Sequence, residues 1–201
     1  MNEVERAQFH VEFERALAFA TRLHARQVRK DTDIPYISHL IAVAGLVLEN
    51  GGDRDQAIAG LLHDAIEDGG KYFPGGVAAL REQIHREFGE RVLAIVEACT
   101  DAETEPKPPW RERKEQYIAH LEHVPQEVLL VSCADKLHNA RAIVADLRVM
   151  GNSLFERFTG KQEGTLWYYE TLAEVFARRG PEHLADELSR TVAEMHRLAV
   201  A

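Results

Sequence analysis

The densest chemistry in the chain lies in one short stretch, LLHDAIED at 61–68. The apolar positions Ala57, Ile58, Leu61, Leu62, Ala65 and Ile66 recur at helical spacing. On a helix, residue i+4 lies near residue i. His63 and Glu67 then share one face, and Asp64 and Asp68 share the adjacent one, with neighbours about 6 Å apart. Three carboxylates and an imidazole at that distance disfavour one another unless a cation sits among them. A solvated acidic helix end is the plain alternative, although acids at a helix C-terminus oppose the macrodipole.

Two further residues extend the pattern. Asp135 follows Val128–Val131 and Ala134 in an apolar helical run, and a buried carboxylate is costly without a partner or a metal. Asn139 lies one turn on, whereas Lys136 projects about 100° around the helix. A structural pair with an arginine elsewhere is the alternative for Asp135. His39 lies near Tyr36 with Leu40 and Val43 behind it, which by itself suits a core histidine. Taken together, His39, His63, Asp64 and Asp135 form a mixed nitrogen and oxygen set. It suits Mn²⁺, Fe²⁺ or Mg²⁺ better than thiolate-bound structural zinc. Four protein ligands leave room in an octahedral shell for water and a substrate oxygen. Such an ion lowers the pKa of bound water and polarises a phosphoryl oxygen.

Cations that would meet an anionic substrate are few. Arg29-Lys30 precede the His39 helix, where they would meet phosphate oxygens or stack on a base, or else stay solvated. The stretch Lys107–Lys114 holds Lys107, Arg111, Arg113 and Lys114 against Glu112, with Trp110 inside it. Lys161, in a glycine-flanked loop, is a candidate of the same kind. His120 and His123 stand at i,i+3 spacing and read as surface histidines or as a second metal pair. His24 and His138 read as boundary histidines.

The elements that must position these residues are helical almost throughout. Phe9, Phe13, Leu17, Ala20 and Leu23 mark a first amphipathic helix, followed by a loop over Val28–Pro35. A second helix runs over Tyr36–Glu49 and stops at Asn50-Gly51-Gly52. Asp53 is placed to cap a third, which continues to Gly69-Gly70. Short helices follow near 77–88 and 90–98, then a loop over Thr100–Pro109 with three prolines. Helices are expected over 111–121 and 126–150, a short one over Leu154–Phe158, and another over 165–178 ended by Gly180-Pro181. The last carries Leu184, Leu188, Val192, Met195 and Leu198, a stripe that closes the core or forms an interface. Nothing reads as a strand or as a repeat. The expectation is an all-α, single-domain chain over 1–201, with a core about 10–180 and a C-terminal helix over 182–200.

Composition narrows the partners. The chain carries 33 acidic against 24 basic residues, a net charge of −9. That argues against a nucleic-acid surface, which needs a basic face. Cys99 and Cys133 cannot make a disulfide scaffold. The N-terminus lacks an apolar signal core, and Leu40–Leu48 falls short of the ~18 residues that a membrane span requires. A soluble, cytoplasmic protein without a membrane partner is expected.

Set in order, HARQVRKDTDIPYISHLIAVA (24–44), LLHDAIED (61–68), CTD (99–101) and ADKLHNAR (134–141) resemble the HD-domain phosphohydrolases. The chain is most similar to the guanosine-polyphosphate (ppGpp) 3′-pyrophosphohydrolase branch, the hydrolase domain of RelA/SpoT proteins and its stand-alone small relatives. That resemblance spans about residues 10–180. It implies an HD-type helical bundle with His39, His63, Asp64 and Asp135 as metal ligands, usually for Mn²⁺. It implies Glu67 and Asp68 as the catalytic acidic pair, and Arg29, Lys30 and Asn139 as nucleotide contacts, with Lys136 and Lys161 beside them. The reaction implied is metal-dependent hydrolysis of the 3′-diphosphate of (p)ppGpp to GDP or GTP plus pyrophosphate. This chain has His39-Leu40 where the family often has His-Pro, and no synthetase, TGS or ACT region. The Thr100–Arg113 segment and the part beyond Gly151 match the long RelA/SpoT proteins poorly. Alternatives on the same scaffold are a nucleoside 5′-monophosphatase, a dNTPase or an NADPH phosphatase. A non-catalytic nucleotide-binding module would show missing ligands, and none is missing.

Overall fold

In the computed structural model, which describes residues 3–101, 106 and 108–200, the chain forms nine α-helices and no strand among the described residues. It divides into two compact units, Met1–Glu103 and Thr104–Ala201.

The first unit holds α1 (Glu3–Leu23), α2 (Ile37–Glu49), α3 (Arg54–Leu62), α4 (Gly76–Phe88) and α5 (Glu90–Cys99). Helix α3 is its centre, with Ala57–Leu62 all buried and α1, α2 and α5 packed against it. The start of α3 is a capping box. The Asp53 carboxylate accepts from Gln56 N at 3.1 Å, and Gln56 Oε1 accepts from Asp53 N at 2.9 Å. Burial would raise the Asp53 pKa, but the Gln56 backbone bond and Arg91 outweigh it and hold it below the ordinary value. Helices α2 and α3 approach closely at Gly60, where a Cβ would lie 3.1 Å from Ala44 Cα. Leu40, Val43, Val47, Ile58, Leu61, Leu62, Leu80, Ile84 and Ile95 fill the core at 0–1% exposure. Each such side chain contributes about 1.5–3 kcal/mol as an upper estimate.

The third helix departs from expectation. The α-helix stops at Leu62, and Ala65–Gly69 forms a single π-helical turn followed by a 3₁₀ turn over Gly70–Tyr72. The i,i+4 bond from Asp68 N to Asp64 O persists at 2.9 Å, while Ala65–Gly69 widens into a π turn, a geometry frequent at functional sites. Pressure on Gly69 and Gly70 accompanies it, since a Cβ at Gly69 would lie 2.7 Å from Leu23. The loop before α2 is ordered by its own backbone. Arg29 N donates to Ile34 O at 2.8 Å, Tyr36 N donates to Gln27 O at 2.9 Å, and Val28 and Pro35 form an isolated antiparallel bridge.

The second unit holds α6 (Trp110–Leu121), α7 (Gln126–Met150), α8 (Lys161–Arg179) and α9 (Glu182–Val200), with a 3₁₀ segment over Gly151–Arg157. Helices α7, α8 and α9 pack on one another. The α9 stripe Leu184, Leu188, Val192 and Met195 is buried and closes this core. Trp110 lies against the glycines of α8, where a Cβ at Gly160 would come within 2.6 Å of its ring. Helix α8 begins at Lys161 rather than near Thr165, so Lys161 is a helix-start residue and not part of a loop. Lys107, with residues 102–105 of the proline-containing loop, lies outside the described residues. No described helix is long and apolar enough to cross a membrane.

Candidate active site

In the first unit, three predicted ligands converge. His39 on α2 and His63 just beyond α3 are buried, at 0% and 2% exposure. Their ring centroids are 5.1 Å apart. Asp64 Oδ2 lies 2.9 Å from His63 Nε2 and 3.7 Å from His39 Nε2. The tautomer of His63 follows from its other nitrogen, because Nδ1 lies 2.9 Å from Gly60 O. A carbonyl only accepts, so Nδ1 carries hydrogen and a neutral His63 presents the Nε2 lone pair. A lone pair facing a carboxylate oxygen at that distance calls for a shared proton or a cation. Two imidazole nitrogens and one carboxylate oxygen fit a first-row divalent ion, and the Nδ1–H···O=C bond is the usual way of orienting such a ligand.

Around these ligands stand residues that sequence reasoning passed over. Tyr36 donates its hydroxyl to Asp64 Oδ2 at 2.6 Å. Its ring stacks on His24 at 5.5 Å and 28°, and the Arg29 guanidinium lies 5.7 Å from the ring centroid. Asp68 accepts from Gln27 Nε2 at 2.7 Å, and Gln27 Oε1 in turn lies 2.7 Å from His24 Nδ1. Glu67 is half-buried in the π turn and Lys30 is exposed. The only sequence signal for His24 and Gln27 was their place in HARQ, directly ahead of Arg29-Lys30. A cavity of about 860 Å³ opens on this side of the unit, lined by Arg22, Arg26, Gln27, Asp68, Lys71 and Tyr72 among others.

In the second unit, Asp135 is buried on α7 at 6% exposure. Asn139 Nδ2 donates to its Oδ1 and Lys136 Nζ to its Oδ2, both at 2.6 Å. A cation beside Asp135 is thus Lys136, its neighbour in sequence. The four-carbon lysine stem brings the ammonium back across the 100° by which its Cα is turned away. Burial would lower the Lys136 pKa. The Asp135 carboxylate, with Tyr117 and Tyr168, overrides it and holds the ammonium charged well above its ordinary value. Its Nζ stands 4.8 Å from the Tyr117 ring, and Tyr117 shares a hydrogen bond with Ser132.

The basic stretch on α6 is seated on aromatic rings. Arg111 lies 3.2 Å from the Trp167 centroid and Lys114 lies 5.0 Å from that of Tyr168. Arg113 donates to Pro108 O at 3.2 Å. Lys161 is exposed and paired with Glu156 at 2.8 Å. His120 and His123 are exposed, and His138 is half-buried on α7.

The chain is similar to known proteins. The guanosine-3′,5′-bis(diphosphate) 3′-pyrophosphohydrolase MESH1 of Xenopus tropicalis is 41% identical over 129 residues, covering 63% of this chain and 66% of that protein. A probable enzyme of the same name from a Synechocystis strain is 36% identical over 138 residues, covering 65% of this chain but 16% of that protein. The aligned stretch therefore spans just under two thirds of the first relative's length and a small part of the second's. The solved structure of a metazoan SpoT ortholog described as hydrolysing ppGpp superposes with a TM-score of 0.73 at 24% identity, covering 91% of this chain and 94% of that one. At that identity it attests the fold. Residues 16–162 match the HD domain, a span that takes in His39, His63, Asp64 and Asp135, and the chain belongs to the HD-domain family.

Proposed function

We propose that this protein hydrolyses the 3′-diphosphate of guanosine tetra- or pentaphosphate, giving GDP or GTP and pyrophosphate, with a bound divalent ion, Mn²⁺ for preference. The observation that carries the reading is the convergence of His39 Nε2 and His63 Nε2 on Asp64 Oδ2 within one unit. The named activity of the MESH1 relatives supplies the substrate. His39, His63 and Asp64 would hold the ion, with the buried carboxylate of Asp135 as fourth ligand. When bound, such an ion acidifies water and polarises the phosphoryl oxygen under attack.

The chain's own residues do the rest. Glu67 and Asp68 orient the attacking water and take its proton. The water oxygen bonds to the phosphorus carried by the ribose 3′ oxygen. The bond from that phosphorus to the 3′ oxygen breaks, and a proton passes to the departing oxygen. Arg29, held above Tyr36, and Lys30 meet phosphate charge or the base. Asn139 and Lys136, beside Asp135, supply donors for substrate oxygens. Lys161, exposed and paired with Glu156, is a further candidate for phosphate charge. The partner is a small nucleotide, and Cys99 and Cys133, neither of them in a disulfide, suit a reducing cytoplasm.

The test is direct. Purified protein is supplied with Mn²⁺ and ppGpp, and pyrophosphate release is followed alongside a panel of nucleoside monophosphates, dNTPs and NADPH. Turnover of ppGpp that a chelator abolishes and Mn²⁺ restores is expected. No release from protein that binds Mn²⁺ overturns the substrate, and full activity in Asp64→Ala overturns the site.

A further inference from the structure

The orientation of the Asp68 carboxylate is fixed by a chain of hydrogen bonds that leaves no freedom in its sense. An ionised carboxylate only accepts, so Gln27 must turn its amide NH₂ toward Asp68 Oδ2, 2.7 Å away. The amide oxygen then faces His24 Nδ1, also at 2.7 Å. That nitrogen must carry a hydrogen to donate. A flipped Gln27 would set oxygen against carboxylate and NH₂ against N–H, losing both bonds.

The backbone pins the same residues. Gln27 N donates to His24 O at 3.0 Å, and Gln27 O accepts from Tyr36 N at 2.9 Å. His24 is 3% exposed, and its ring backs Tyr36, the donor to Asp64. One buried imidazole therefore stands behind two separate carboxylates, reaching Asp68 through Gln27 and Asp64 through Tyr36.

We propose that Gln27 is a positioning residue for the hydrolysis: it grips one oxygen of Asp68 and sets the rotation of that carboxyl, while His24 fixes the sense of the Gln27 amide. The inference rests on the hydrolase reading above. Its own content is that Gln27 acts through Asp68 and leaves substrate and ion binding untouched, whereas His24 also backs Tyr36 and, through it, Asp64. Gln27→Met keeps the length of the side chain and removes the donor. Its kcat is expected to fall about tenfold, part of the ~10²-fold that misplacing a catalytic group costs. KM, Mn²⁺ affinity and melting temperature should stay near those of the unaltered protein. Gln27→Glu keeps an oxygen toward His24 but turns a carboxylate on Asp68, and its kcat should fall further. His24→Asn, whose amide nitrogen takes the place of Nδ1, should keep more of kcat than His24→Leu at comparable melting temperature.

A readout independent of turnover is the ¹⁵N NMR signature of His24, expected to show the Nδ1–H tautomer and to change in Gln27→Met. If ppGpp is not turned over at all, the hydrolase reading fails while the NMR result still decides the hydrogen-bond chain. An Nε2–H tautomer, or unaltered kcat in both Gln27→Met and Gln27→Glu, overturns the proposal. So does a loss that appears only in KM or melting temperature.

Discussion

Replacing Tyr36 by Phe tests whether Asp64 is a metal ligand held from behind. The hydroxyl donates to Asp64 Oδ2 at 2.6 Å, the same oxygen that faces both imidazoles. A hydrogen bond to a charged group contributes about 1.5–3 kcal/mol, and 1.4 kcal/mol is tenfold in affinity. The loss should therefore lie within the ~10–100-fold typical of removing an outer partner of a ligand. The Asp64 side chain keeps 20% exposure, so water replaces part of what is lost, and the lower end, about tenfold weaker Mn²⁺ binding, is expected. The ring stays, and with it the stack on His24 and the seat for Arg29. The bond is present in the metal-free protein too, so its loss, about 1.5 kcal/mol at that lower end, should also lower the melting temperature by about 3–6 °C for a chain this size. Competition against a fluorescent chelator measures the affinity, and Asp64→Asn serves as the reference for complete loss of the ligand. Tyr36→Phe with unaltered Mn²⁺ affinity, beside an Asp64→Asn that loses it, would refute the reasoning that the hydroxyl orients the ligand.

Three further outcomes are expected. Gly60→Ala forces its Cβ to 3.1 Å from Ala44 Cα, and separating α2 from α3 should cost about 1–3 kcal/mol and weaken Mn²⁺ binding, since these helices carry His39 and lead into His63; thermal melting and metal titration check both. Lys136→Met leaves the Asp135 carboxylate without its cation. Breaking a buried pair costs about 3–5 kcal/mol, and saturating Mn²⁺ should recover much of it; an equal melting loss with and without the ion would argue against Asp135 as a ligand. Asp53→Ala removes the α3 cap at a cost of about 0.5–2 kcal/mol near neutral pH. Because folding lowers the Asp53 pKa, the wild-type advantage is full above its ordinary value of 3.8 and fades as pH falls through the lowered one, which denaturant melts at pH 7 and pH 3 would display.

Much of the helical order was legible because the signals are local. Asn50-Gly51 ends α2, with Gly51 at φ +81°, and Asp53 opens α3. The apolar run of α7 announces its burial. Asp135 was readable for the same reason, while His63 and Asp64 stood out as part of an acidic cluster at helical spacing, and His39 joined them only through the combined pattern and the family resemblance. What was not legible depends on side chains that reach across the period. Lys136 turns back on Asp135 along its flexible stem, which a projection angle at Cα does not foresee. Tyr36, His24 and Gln27 gain their roles from a loop folded by its own backbone bonds. No periodicity describes that loop, so His24 read as a boundary histidine.

The turn after α3 is where the chemistry gains most. Asp64 and Asp68 lie one turn apart, joined by the bond from Asp68 N to Asp64 O at 2.9 Å. Two carboxylates in one environment would repel and compete for the same cation. Their surroundings differ. Asp64 meets His39, His63 and the Tyr36 hydroxyl, whereas Asp68 meets the Gln27 amide beside the cavity. A ligand needs nitrogen donors beside it and a hydroxyl to orient it; a proton acceptor needs a neutral donor and freedom from the ion. The four-residue spacing that read as one acidic face thus yields two different carboxylates. That division comes from the partners brought to each, His39, His63 and Tyr36 for Asp64 and Gln27 for Asp68, and a sequence scanned for 3.6-residue periodicity has no means of announcing them.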